Sequence, residues 1–294
     1  MICSRGSVSV QRFLASVYVP TRIDLCVESI RQMEFSVRVL DRWAKRAVIL
    51  DDLSEDLVRQ FLCEYRRSHS AATTNSKRCQ LLAIWRCAWE EGYLAQPPRA
   101  RQIRKAREPR KIPEAWTAAE VGKILAAVDA SKARPTEGIP SRSWMRSIFL
   151  VMYDTGERKK ATLSVSPQDV DLVAGTIIFR NTKTGNHRLC ELHPDTVAAI
   201  RAIYAPSRDR VWPWTKSREA LDKRIKKILN AAGVRYGRGN GGLLHKFRRT
   251  SGTLVEVAGG DGAKHIGNTR KVFETHYLDP RFLDRSQLDK LPRP

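Results

Sequence analysis

A run of cations fenced by prolines divides this chain of 294 residues. Gln96-Pro97-Pro98 opens it; Arg99, Arg101, Arg104, Lys105, Arg107, Arg110 and Lys111 fill it; Pro113 closes it. Few apolar residues interrupt the charge, and proline is a poor member of a helix interior or a central strand. Residues 95–114 therefore read as a basic linker, and the segments on either side must each build a core. A linker of this charge suits phosphate contacts on DNA, although a solvated tether has the same composition.

The segment before the linker, 22–94, reads as helical. Val27, Ile30, Phe35, Val39, Leu40 and Trp43 recur at helical spacing between Val27 and Ala47. Ser54 with Glu55 and Asp56 opens a second helix that ends near Arg67. Thr74 can cap a third, in which Leu81, Leu82, Trp85 and Trp89 form an apolar stripe ended by Gly92. These tryptophans are expected in the core rather than as stacking platforms for bases. Lys77, Arg78 and Arg86 fall on other faces, where they suit phosphate contacts or a solvated surface. Residues 1–21 are set apart as an N-terminal extension; Gln11 and Arg12 break its apolar character, which argues against a signal peptide.

After the linker, helices alternate with one hairpin. Thr117 and Glu120 form a capping box for a helix reaching about Ala130. A second helix spans Trp144–Thr155. Gly175–Arg180 and His187–Leu192 read as strands joined through Lys183-Thr184-Gly185-Asn186. Pro194 suits the first turn of a helix. Ser217–Ala232 is amphipathic and basic, closed by Gly233, and His245–Ala258 is a helix stopped by Gly259-Gly260. The glycine-rich 237–242 lacks the Lys-Ser/Thr of a nucleotide-binding loop and reads as a connection. The fold class expected is mainly α with a small antiparallel sheet.

Charge points to the partner. Lys plus Arg outnumber Asp plus Glu by 53 to 31, for a net +22 spread along the chain. Such a field favours a polyanion, and nucleic acid is the commonest one. The apolar fraction of 42% excludes wholesale disorder. Six cysteines (Cys3, Cys26, Cys63, Cys79, Cys87, Cys190) form no Cys-x-x-Cys pair, which fits reduced thiols in the cytoplasm and no metal site. No apolar run is long enough for a membrane span.

The candidate chemistry lies in the second segment. Arg158 comes directly after Thr155-Gly156-Glu157, where a glycine can end a helix and turn the next residues into a cleft. His245 and Arg248 are three residues apart on one helix and share a face. The guanidinium can bind phosphate oxygens bidentately, and the imidazole can exchange protons near neutral pH. Lys183 sits at the hairpin turn; partial desolvation there would lower its pKa and fit it to donate a proton. Tyr277, ahead of Leu278-Asp279-Pro280, is a phenol late in the chain. Each signal is weak alone; their order is informative.

In that order they resemble the tyrosine recombinases, or phage-type integrases. Thr155 to Leu172, with Asp169-Val170-Asp171-Leu172, is similar to the family's first-arginine segment. Asn181-Thr182-Lys183-Thr184-Gly185 resembles its hairpin lysine motif, and His245-Lys246-Phe247-Arg248-Arg249-Thr250 its His-x-Leu-Arg-Arg-Thr box. Ile266-Gly267-Asn268-Thr269 falls where the family has Leu-Gly-His-Ser, and Tyr277 comes nine residues after Asn268, the family spacing. The similarity covers about 117–280. Two positions depart from it. Asn268 stands where His or Trp is usual; it can donate a hydrogen bond but cannot carry a proton. His265, three residues earlier, is a candidate to compensate. Ala161 stands where a carboxylate commonly orients its neighbours.

The resemblance implies a helical core-binding, DNA-binding domain at 22–94, a catalytic domain at 115–280 and a C-terminal tail at 281–294, with the two domains clamping duplex DNA. It implies that Tyr277 is a nucleophile forming a 3′-phosphotyrosine link. Lys183 would protonate the leaving oxygen, His245 would assist at the tyrosine, and Arg158, Arg248 and Asn268 would hold the non-bridging oxygens. Lys77, Arg78, Arg104, Lys105, Arg107 and Arg249 are the further DNA contacts expected. No metal or other cofactor is expected. Partners are double-stranded DNA, a homotetramer on two DNA sites and accessory DNA-bending proteins. The setting is the cytoplasm of a bacterium or its phage, at the nucleoid. A silent DNA-binding relative, a type IB topoisomerase and a basic RNA-binding protein are the competing readings.

Overall fold

Two hydrophobic cores form, one on each side of residue 110. The structure, a computed structural model, describes residues 7–109, 111–180, 186–237 and 243–283. The first unit is Met1–Arg110 and the second is Lys111–Pro294. No helix among the described residues is long and apolar enough to cross a membrane.

In the first unit, α1 (Val10–Phe13) runs into a π-helical turn, Leu14–Tyr18. Three longer helices come next: α2 (Val27–Ala44), α3 (Glu55–Ser68) and α4 (Ala71–Glu90). Ser54 caps α3 by accepting from the Leu57 N–H, as its sequence indicated. For α4 the cap is Ser70, which accepts from the Thr73 N–H; Thr74 lies inside the helix and bonds back to the Ser70 carbonyl. Helix α2 buries Met33, Val37 and Leu40, and leaves Val27 and Phe35 exposed. Trp85 is in the core, whereas Trp89 is 40% exposed. Residues 7–21 are not a separate extension, because Val10, Phe13, Leu14 and Tyr18 belong to this core.

Part of the expected linker is strapped onto the same unit. Ile103 is buried, and the Asn75 amide exchanges hydrogen bonds with Ala106 in both directions, at 2.8 and 2.9 Å. Arg78 donates to the Ala100 carbonyl at 2.7 Å and to that of Ile103. Arg78 was expected to meet DNA; its guanidinium instead holds the chain leaving α4. Lys77 is a second correction. It is 3% exposed, donates to the Ser36 hydroxyl at 2.9 Å and lies 4.4 Å from the Phe35 ring centroid. Burial lowers its pKa and turns its ammonium to the protein's own groups. Arg104, Lys105 and Arg107 are exposed.

The second unit opens with Trp116, fully buried, and α5 (Ala118–Asp129), whose Thr117–Glu120 capping box forms as read. Helix α6 (Ser141–Thr155) is the spine of this unit: Trp144, Met145, Ile148, Phe149 and Met152 are all buried on it. Then come α7 (Lys159–Leu163), β1 (Val170–Asp171), β2 (Thr176–Phe179) and β3 (Arg188–Glu191). The strands form one antiparallel sheet in the order β1-β2-β3, with Ile177 opposite Cys190. Helices α8 (Pro194–Arg201), α9 (Arg218–Ala231) and α10 (His245–Val257) complete the main core. The chain continues through α11 (Gly262–His265) and α12 (Arg270–His276).

Helix α11 packs tightly against α10. A Cβ at Gly262 would collide with the Gly252 carbonyl and lie 2.7 Å from the Phe273 ring, so only glycine permits this approach. Ala263, Ile266, Phe273 and Tyr277 form a small apolar cluster there. No disulfide joins the described cysteines.

Candidate active site

Helix α6 ends at Gly156, in the left-handed region with φ of 59°. That turn lets Arg158 start α7 in an extended conformation, its side chain one-third exposed. Arg158 and His245, the first residue of α10, line the same cleft of about 1130 Å³. Lys159, Lys160, Arg210, Lys216 and Lys226 also line it, with Asp222, which pairs with Lys159 at 2.6 Å. The walls carry a cation excess suited to a polyanion.

One turn along α10, Arg248 faces Tyr277. Its guanidinium carbon lies 5.2 Å from the Tyr277 ring centroid, and the His245 ring is 5.4 Å from the same centroid. Tyr277 is buried to 8% exposure, and its main chain is fixed on both sides. Arg249 donates to the His276 carbonyl at 3.1 Å, and the Thr253 hydroxyl donates to the Tyr277 carbonyl at 3.2 Å. Asp279, fully buried, accepts the Ala115 N–H at 2.8 Å. The phenol is therefore held by its own chain against its own histidine and arginine.

His245 is exposed where it lines the cleft. Partial desolvation, then Arg249, Arg248 and Arg158, push its pKa down to about 4. The ring is neutral at pH 7 and can accept a proton. Arg248 is fully buried; desolvation and the neighbouring Arg158 lower its pKa. Its Nη1 donates to the Gly156 carbonyl at 2.8 Å and its Nη2 to that of Ile266 at 2.5 Å.

Four buried side-chain polar atoms among the described residues have no hydrogen-bond partner, and two of them are here: Arg248 Nε and Asn268 Nδ2. An unmet buried donor costs roughly 1–3 kcal/mol. An anionic oxygen beside either donor would satisfy it. His265, the candidate to compensate for Asn268, packs beside Ser251 on α10. Its Nε2 is bonded to the Ser251 hydroxyl at 2.7 Å, and burial, Arg188 and Arg248 lower its pKa. Lys183 lies outside the described residues. Arg249, expected on DNA, is half-buried and binds the chain before Tyr277.

Two site residues escaped the sequence reading. Glu157 is 2% exposed and pairs with Arg188 at 2.9 Å. On β3 the alternation runs against polarity: Arg188 faces inward and Leu189 is 66% exposed. The available signal was a carboxylate set directly before Arg158.

A sequence model of the phage integrase family matches residues 115–261. The chain belongs to that family. A protein of Sinorhizobium fredii named as an integrase/recombinase, y4rE, is 26% identical over 207 residues, covering 69% of this chain and 63% of the relative. Tyrosine recombinase XerA of Thermococcus kodakarensis is 26% identical over 252 residues, covering 85% and 75%. The chain thus spans less than two thirds of the first of these relatives. Among solved structures, a lambda integrase dimer bound to a COC′ core site superposes with a TM-score of 0.71 at 18% identity, covering 95% of this chain and 80% of the other. XerH recombinase in a post-cleavage complex with palindromic difH substrate gives 0.69 at 19%, covering 90% and 79%. At these identities the superpositions establish the fold.

Proposed function

We propose that this protein is a site-specific recombinase that breaks and rejoins DNA through a 3′-phosphotyrosine intermediate. The observation that carries the reading is the meeting of Tyr277, His245 and Arg248 beside a basic cleft that Arg158 lines. The Tyr277 oxygen attacks phosphorus, and its proton passes to neutral His245. The bond to the 5′ oxygen breaks, and that oxygen takes a proton from Lys183, the role implied by its motif. Arg158, Arg248 and Asn268 oppose the charge that grows on the non-bridging oxygens. Fixed donors of this kind favour the transition state over the ground state, each by about 3–4 kcal/mol. The covalent link conserves the bond energy, so a 5′ hydroxyl from a second duplex can reverse the step.

Double-stranded DNA is the proposed substrate, with Arg104, Lys105 and Arg107 as exposed cations for its backbone. A tetramer on two DNA sites belongs to the same proposal; a structural neighbour is a lambda integrase tetramer bound to a Holliday junction. One observation favours a silent DNA binder instead: both terminal nitrogens of Arg248 are engaged by carbonyls. A nicked suicide duplex decides. Accumulation of a protein–DNA adduct that is lost in Tyr277→Phe supports the enzyme. Sequence-specific binding with no adduct supports the silent binder, and relaxation without strand exchange supports a topoisomerase.

A further inference from the structure

Two arginines bind the end of α6 to the end of α11 like parallel rungs. Arg188 donates through one nitrogen to the carbonyls of Thr155 and His265. Arg248 donates to the next pair, Gly156 and Ile266. These carbonyls close helices, where the backbone leaves acceptors unmet and the partial charge is negative, so cations are favoured there. A third guanidinium, Arg158, lies on the cleft side. Left alone, the three positive charges would repel one another in a largely dry environment.

One carboxylate touches all three. Glu157 Oε2 pairs with Arg188 Nη1 at 2.9 Å. Oε1 accepts the Arg158 N–H at 2.8 Å, and faces Arg158 Nη1 at 3.7 Å and Arg248 Nη1 at 3.8 Å. The pairing is unequal, and the inequality matters. Arg188 is bound at hydrogen-bond distance. Arg158 and Arg248 meet the carboxylate only at longer range; Arg248 is held by its two carbonyls and keeps an unmet Nε for another anion. Glu157 does not line the cleft.

We propose that Glu157 is a positioning residue that holds Arg158 and Arg248 for the scissile phosphate, with Arg188 as its anchor. The proposal rests on the recombinase reading above. It gives the site a carboxylate although Ala161 supplies none, and it explains why a buried acid stands beside the first arginine. Arg188 also comes five residues after Lys183, so the same anchor ties the base of that hairpin to α6.

The test uses the full-length chain and Glu157→Gln, which keeps shape and removes charge. Single-turnover cleavage of a suicide duplex at saturating DNA should slow about 10- to 100-fold, the scale of an ångström-sized misplacement. The DNA concentration for half-saturation should stay within about threefold. Amide hydrogen exchange at 155–158 and 265–268 should quicken. If the buried charge loss prevents folding, Glu157→Gln combined with Arg188→Gln removes an anion and a cation together, and should show the same slow cleavage. Wild-type-like cleavage with unchanged exchange would overturn the proposal. So would a parallel loss of binding and melting temperature, which marks a general packing role. If wild type itself forms no Tyr277 adduct, the recombinase reading fails, while the exchange data still decide whether Glu157 fixes the arginines.

Discussion

Helices α4 and α10 both bury cations, and Lys77 on one and Arg248 on the other are used differently. On α4, Lys77 is enclosed by a hydroxyl and an aromatic face. On α10, Arg248 is enclosed by carbonyls, a carboxylate and a phenol, and still keeps an unmet Nε. A buried cation whose donors are turned to its own fold reads as part of the framework. A buried cation with a spare donor beside a titratable ring and a nucleophile reads as a site. Composition alone does not separate the two, because both lie in helices of a strongly basic chain.

The largest effects are expected at Arg248. Arg248→Ala should lower cleavage by roughly 10²–10³-fold and destabilise the fold by about 3–5 kcal/mol, since it leaves Glu157 with one fewer cation. Denaturant titration and single-turnover cleavage check the two effects separately. Gly156→Ala comes next. The φ is left-handed, and the new Cβ would sit 2.7 Å from the Ile266 methyl. A loss of about 1–3 kcal/mol is expected, with weaker cleavage, because the turn that presents Arg158 is strained.

His245 supplies a pH test. Its folded pKa of about 4 lies below the ordinary 6.5. Between those values the unfolded chain binds a proton that the folded ring refuses. The His245 contribution to stability is therefore lost as pH falls from 6.5 towards 4. NMR of the free protein should show no titration of this ring between about pH 5.5 and 8, and a midpoint near 6.5 would contradict the arrangement.

Smaller effects belong to the first unit. Replacing Arg104, Lys105 and Arg107 together with alanine should reduce the salt slope of DNA binding by up to about 3, at roughly 0.9 per phosphate contact. The cleavage rate at saturation should not change. Lys77→Met should leave DNA affinity unaltered and shift stability by less than about 1 kcal/mol or raise it. The folded Lys77 pKa is lowered from 10.5, so wild type gains stability as pH rises towards that value, and the methionine variant should lack this gain. A large loss of DNA binding in Lys77→Met would erase the distinction between the helices.

Much of the second unit was readable in the chain because local rules and tertiary structure agree there. The Thr117 capping box, the Pro194 start and the Gly156 stop all form as their residues dictate. In the first unit, polarity misled. Lys77 and Arg78 look like surface cations, yet one is buried against α2 and the other binds the chain after α4. Local sequence carries no information about a partner 22 to 41 residues away. The same limit hid Glu157 and Arg188, whose meaning arises only where α6, β3 and α11 meet.

Whether a phenol oxygen of this chain replaces a sugar oxygen on phosphorus is decided by mass spectrometry of the trapped adduct. After nuclease and protease digestion, a nucleotide should be found joined through its 3′ phosphate to Tyr277, and to no other residue. An adduct on a different side chain, or one that survives Tyr277→Phe, would contradict it.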